Sequence, residues 1–170
     1  MIKQDISENQ VKLVYLGIGS NLGNKKANIV KAKFELVQNN IKIIQSSSYY
    51  ESLSWPNTKN PKFLNIVLKI NTNFTPSELL KSGKKIERDI CRNKNAINSP
   101  RECDIDILDY ENRKISDEIF LPHPRMHIRN FVLFPLFELN KDWKHPVSKH
   151  HIKTLIFLLS NRDIRSIKQI

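Results

Sequence analysis

The apolar residues of this chain alternate between strand and helix periodicities in a fixed order, and that order restricts the fold more than any other feature. Lys12 to Ile18 is an apolar run closed by Gly19-Ser20-Asn21, a strand followed by a turn. Asn24 to Gln38 places Ala27, Ile29, Val30, Ala32, Phe34, Leu36 and Val37 at broadly helical spacing. Ile41 to Tyr50, β-branched and aromatic, reads as a second strand. Glu51 to Pro61 is a loop, broken by Trp55-Pro56 and Asn60-Pro61. Phe63 to Ile70 is a third strand with Leu64, Ile66, Leu68 and Ile70 on one face. Thr75-Pro76-Ser77-Glu78 then opens a helix that runs to about Ile90. Thr75 can cap it, Pro76 suits its first position and Glu78 closes a capping box. Ile105 to Tyr110 is a fourth strand, with a turn at Glu111-Asn112. The order β-α-β-β-α-β predicts an α+β fold, a ferredoxin-like sandwich on an antiparallel sheet with C-terminal additions. Those additions are expected as a loop over Leu121 to Arg129, a short helix over Phe131 to Leu139 started by Pro135, and a terminal helix over Ile152 to Ile170.

A chain of 170 residues suits one domain whose core needs no disulfide or metal staple. We expect residues 1–170 to form it, with 140–170 as a tail that packs through Leu155, Ile156, Leu158 and Leu159. Cys91 and Cys103 lack the spacing of a metal or redox motif, so both read as packing residues of a reducing compartment. The N-terminal stretch carries Lys3, Asp5, Glu8 and Lys12 and no apolar targeting core, and no apolar run is long enough to cross a bilayer. These features predict a cytoplasmic protein without a membrane partner. The net charge of +11 implies a polyanionic partner, a requirement that nucleic acid, a membrane surface or ATP would each meet.

The sharpest chemical signal is Arg101-Glu102-Cys103-Asp104-Ile105-Asp106-Ile107-Leu108. Side chains of a strand alternate faces, so Asp104 and Asp106 point one way while Ile105 and Ile107 point into the core. Two carboxylates on one face repel unless a cation compensates, and Mg²⁺ is a natural one; a solvent-facing pair on an amphipathic strand explains the alternation equally well. Arg101 could hold phosphate oxygens bidentately, or simply pair with Asp104. Lys84, Lys85, Arg88, Arg92 and Lys94 precede the strand, and Arg125 and Arg129 follow it with His123 and His127. Neither a Walker A motif nor a kinase glycine loop is present, so any triphosphate must be held by side chains. His123 and His127 are spaced like a helical zinc pair, but Pro122 and Pro124 argue against a helix there.

Three ordered blocks carry a family resemblance: Tyr15-Leu16-Gly17-Ile18-Gly19-Ser20-Asn21-Leu22-Gly23; Pro100-Arg101 with Asp104-Ile105-Asp106-Ile107-Leu108; and Leu121-Pro122-His123-Pro124-Arg125-Met126-His127 with Arg129, Phe131-Val132-Leu133 and Pro135-Leu136. Phe63-Leu64-Asn65 and the Glu87 to Arg92 stretch add to it. The chain resembles the 6-hydroxymethyl-7,8-dihydropterin pyrophosphokinase family over about 13–138. The resemblance implies diphosphate transfer from Mg-ATP to that pterin in folate biosynthesis, by a monomer that uses two Mg²⁺ ions and small-molecule substrates and binds no nucleic acid. It implies Asp104 and Asp106 as metal ligands, and Phe63 and Phe131 as faces for the pterin ring. Asn65 would bond the ring's edge, with Ser52 and Leu53 beside it. It gives Glu87, Arg92, Arg101, His123 and Arg129 to ATP, and Arg92, Lys94 and Arg101 to catalysis.

The chain departs from the family at Asn98-Ser99, where an aromatic residue and a glycine are common, at Lys94, where Arg is frequent, and at Ile128. A catalytically weakened pterin-binding relative is therefore one alternative. A basic RNA-binding module of the same topology is another, although the RNA-recognition aromatic signature is missing.

Overall fold

In the computed structural model, which describes residues 10–55, 57–91 and 99–170, the long strand β4 (Phe63–Thr72) is buried along nearly its whole length. A strand covered on one face would alternate buried and exposed residues, so both faces of its sheet carry other elements. β1 (Lys12–Ser20) pairs antiparallel with β4 from Lys12 opposite Thr72 to Ser20 opposite Leu64. β5 (Asp104–Tyr110) pairs antiparallel with the other side of β1. β2 (Lys42–Ser46) and β3 (Tyr50–Ser52) share the far side of β4, and β8 (Lys168–Gln169) extends the sheet from β3. A small hairpin, β6 (Ile115–Ser116) with β7 (Phe120–Leu121), forms a second sheet whose Leu121 packs into the main core.

Two helices cover one face. α1 (Lys25–Gln38) is capped by Asn24, whose side chain accepts from the Ala27 N–H. α2 (Pro76–Ile90) starts at Thr75 with the full capping box expected from Thr75 and Glu78. Each such cap is worth about 1 kcal/mol. Val14, Leu16, Ile18, Leu64, Ile66, Leu68, Ile70, Ile105 and Ile107 meet Ile29, Leu36, Leu79 and Ile86 to form the main core. The opposite face is partly covered by α3 (Asn130–Leu139) and α4 (Ile152–Phe157), which pack with Tyr15, Val67, Leu108 and Trp143 in a second cluster.

Four local expectations change. The strand expected over 41–50 is two strands, because Ser47 interrupts it: its Oγ accepts from the Val67 N–H at 2.9 Å, a side chain taking a ladder position. The Glu138 carboxylate takes the next donors, Ser48 N–H and Oγ–H. The terminal helix is α4, then α5 (Asn161–Ser166), then β8, because Ser160 is extended and caps α5 by accepting from the Asp163 N–H. Leu158 is consequently exposed rather than part of the packing stripe. α3 starts at Asn130, and Pro135 is buried inside it. The 121–129 loop contains β7's end and a 3-10 turn over Met126–Ile128.

β5 holds a register slip that matters for the site. Leu16 faces Ile107 but Tyr15 faces Asp109, so Leu108 is an extra residue. Strict alternation would send Asp109 toward the main core. With the bulge, Leu108 and Asp109 both lie on the second face, where the indole N–H of Trp143 donates to Asp109 Oδ2 at 2.7 Å. Ahead of the bulge, Asp104 and Asp106 keep the ordinary alternation and rise from the part of this face that α3 and α4 leave open.

Candidate active site

Glycines make the floor. Gly19 stands between Asn65 of β4 and Asp104 of β5, and Gly17 faces Asp106. A Cβ at Gly19 would lie 3.0 Å from Asn65 Oδ1 and 3.2 Å from Phe63 Cδ1, so only glycine lets these side chains lean over β1. Above this floor is a cavity of about 260 Å³, whose lining brings together Asp104, Asp106, Arg101, His123, Arg129, Phe63, Asn65, Phe131, Ser52 and Leu53.

Each carboxylate has a cation. Arg101 Nη1 donates to Asp104 Oδ1 at 3.1 Å, and Arg129 Nη1 donates to Asp106 Oδ2 at 3.2 Å. Burial and the neighbouring Asp106 charge push Asp104's pKa upward against the pull of Arg101. His123 Nε2 lies 3.8 Å from the same Asp106 oxygen. Burial, with help from Arg129 and Arg125, lowers the His123 pKa although Asp106 opposes it. Its Nδ1 accepts the Arg125 backbone N–H at 3.1 Å, so the neutral ring carries its proton on Nε2. The 3.4 Å approach of Arg129 Nη1 to Nε2 is then two donors crowding one carboxylate oxygen.

On the other side of Gly19, Asn65 Nδ2 donates to Ser52 Oγ at 2.9 Å, which fixes the carboxamide between β3 and β4. Phe63 and Phe131 are half-buried in the same cavity. Glu87 stands behind the site. Its Oε1 accepts the Ile105 N–H at 2.7 Å, and both its oxygens accept from Lys84 Nζ at 2.8 and 2.9 Å. Burial works against the charge on Lys84, yet Glu87 and the two aspartates raise its pKa overall. Arg92, Lys94 and Asn98 lie outside the described residues. His127 does not join His123; its ring meets that of His145, 5.8 Å away between centroids. Among the described residues no group of three or more His, Cys, Asp or Glu is arranged to hold a metal.

Four contributors lie outside the residues to which the family resemblance gives roles. Asn21 is buried (3% exposed) and pins three segments together. It accepts the Arg101 N–H at 2.7 Å and donates to Ser54 Oγ and to the Pro61 carbonyl. Its place directly after the β1 turn was the available signal. Lys84 and Arg125 line the cavity, as does Trp55, an aromatic residue in a polar loop.

Two carboxylates, several cations and flat aromatic faces around one cavity suit an enzyme that transfers a phosphate group to a planar substrate. The profile of the 7,8-dihydro-6-hydroxymethylpterin-pyrophosphokinase (HPPK) family matches residues 15–141. The chain is 38% identical over 141 residues to the 2-amino-4-hydroxy-6-hydroxymethyldihydropteridine pyrophosphokinase of Aquifex aeolicus, covering 82% of this chain and 88% of that one. The enzyme of the same name from Methylorubrum extorquens is 38% identical over 130 residues, covering 75% of this chain and 82% of its own. The chain belongs to the HPPK family. The Plasmodium falciparum HPPK-DHPS protein crystallised with pterin and p-hydroxybenzoate superimposes with a TM-score of 0.73 at 15% identity, over 98% of this chain and 49% of that one. This chain thus spans about half of that structure, and the likeness concerns fold. Nothing in these comparisons favours the RNA-binding reading.

Proposed function

We propose that this chain transfers diphosphate from Mg-ATP to 6-hydroxymethyl-7,8-dihydropterin, giving AMP and the pterin diphosphate, in folate synthesis. The observation that carries the reading is the placement of Asp104 and Asp106 in the same cavity as Phe63, Asn65 and Phe131. The pterin ring lies against Phe63 and Phe131, with its edge on Asn65 and with Ser52 and Leu53 at the side. The hydroxymethyl oxygen forms a bond to the β-phosphorus, its proton is lost, and the bond to the α-phosphate oxygen breaks to release AMP.

Asp104 and Asp106 suit Mg²⁺, which is commonly held by one or two carboxylates with water and substrate phosphates completing its shell. Two bound ions would neutralise charge on the attacking and leaving oxygens. Arg101 and Arg129, each paired with an aspartate here, would have donors to offer phosphate oxygens if a cation held the carboxylates. His123 donates from Nε2 to the nucleotide. Arg92 and Lys94 add charge, and Glu87 serves the nucleotide side from behind β5. No side chain is assigned as general base; positioning and electrostatics carry the rate.

The strand order, β5-β1-β4 followed by β2 and β3, supports a ferredoxin-like arrangement of the first four predicted strands. A cytoplasmic monomer acting on small molecules is the simplest setting; no helix among the described residues is long and apolar enough to cross a membrane. The test is chromatographic. Wild-type protein with Mg-ATP and the pterin should yield AMP and pterin diphosphate, and Asp104→Ala and Asp106→Ala should not. Pterin binding without product would show an inactive relative; neither binding nor product would overturn the reading.

A further inference from the structure

Trp55 is an exposed aromatic residue (50%) on the loop between β3 and β4, yet it lines the cavity. Its ring carries the guanidinium of Arg125 at 4.8 Å and that of Arg129 at 5.7 Å from the centroid. Arg129 is also 5.4 Å from the Phe131 centroid, so one guanidinium meets two aromatic rings while its Nη1 reaches Asp106. The Arg129 Nε is buried with no hydrogen-bond partner among the described residues. Arg125 has no ion pair with a carboxylate among them. Two like charges thus share one indole. Such a pair is held together at a cavity rim only at an electrostatic cost, and a polyanion would remove that cost.

We propose that Trp55 is a positioning residue for the polyphosphate of ATP. Its indole holds Arg125 and Arg129 toward the cavity and joins the 53–61 loop to the 121–129 segment across the mouth. The proposal rests on the diphosphate-transfer reading above. A point-charge partner would fix one arginine; an indole face attracts both without neutralising either, and leaves their N–H donors for phosphate.

The test compares wild type with Trp55→Phe, Trp55→Leu, Arg125→Met and the Trp55→Leu/Arg125→Met double variant, varying Mg-ATP and pterin separately. Trp55→Leu should raise KM for Mg-ATP about tenfold, the loss of one to two cation–π contacts. KM for the pterin should stay within about twofold, because the lost contact is to phosphate-binding groups. Trp55→Phe should retain most of the affinity. The double variant should be no worse than the poorer single one, since both remove one interaction. Equilibrium binding of a non-hydrolysable Mg-ATP analogue should follow the same order, with thermal unfolding unchanged. Unaltered ATP binding in Trp55→Leu, additive losses, or an effect on pterin KM alone would each overturn the proposal. Absence of product from wild type would instead remove the reading on which it rests.

Discussion

Gly19 separates Asn65 of β4, proposed to meet the pterin, from Asp104 of β5, proposed to hold a metal, by the width of one backbone. Adding a methyl group there brings it to 3.0 Å from Asn65 Oδ1 and 3.2 Å from Phe63. Gly19→Ala should therefore raise KM for the pterin roughly tenfold, the cost of a modest overpacking, and affect KM for Mg-ATP less. Steady-state kinetics with each substrate varied checks this; an equal rise in both constants would mean that the strand itself has moved. The carboxylates allow a size-matched change. Asp104→Asn and Asp106→Asn keep the volume and remove the charge, and each should lower kcat by at least about a thousandfold if it holds a catalytic cation. Single-turnover rates at saturating Mg²⁺ measure it.

At the scale of elements, β5 is fastened to α2 by a side chain. Glu87 accepts the Ile105 N–H at 2.7 Å, one residue from Asp104 and one from Asp106. Glu87→Ala leaves that donor without its partner and should cost about 1–3 kcal/mol of folding stability, with kcat falling as the aspartates shift. Glu87→Gln keeps an acceptor and should recover most of both. Urea denaturation beside kinetics separates this from a direct nucleotide role, which would raise KM for Mg-ATP in Glu87→Gln at unchanged stability. This contact also shows what the sequence made legible. The Asp104/Asp106 alternation and the Thr75 capping box were readable because both depend on near neighbours, and α2 and β5 appear where those signals put them. Glu87's contact with β5 depends on how the helix crosses the sheet, and no local pattern encodes that. The break at Ser47 was hidden for the same reason, since it depends on Val67 and Glu138, distant in sequence. Leu108's bulge likewise needs the β1 partner to be seen. Asn21 and Trp55 act by joining loops, which periodicity does not report.

For the whole molecule, the second face of the sheet is divided between packing and chemistry, and Asp109 marks the division. It is buried under Trp143, and burial raises its pKa despite hydrogen bonds from Trp143, Asn112 and Tyr110. The folded protein therefore holds this proton more tightly than the unfolded chain. Asp109's contribution to stability is present below the ordinary Asp value near about pH 4 and is lost as pH rises through its raised folded value. Asp109→Asn should flatten that part of the stability-against-pH curve, measured by denaturation at successive pH values; an unchanged slope would show that Asp109 is not the titrating group. The net charge of +11 acts at this scale too, and the cavity gathers part of it, from Lys84, Arg101, Arg125 and Arg129, around two carboxylates. That gathering makes sense for a polyphosphate bridged to the protein by cations.

The identity of the transferred group decides whether this division of the sheet has been read correctly. Phosphorus-31 NMR of wild-type protein turning over Mg-ATP and 6-hydroxymethyl-7,8-dihydropterin should show AMP and a pterin diphosphate appearing in equal amounts, with no ADP. ADP together with a pterin monophosphate would place the attack on the γ-phosphorus and contradict the proposed use of Asp104, Asp106 and the surrounding arginines.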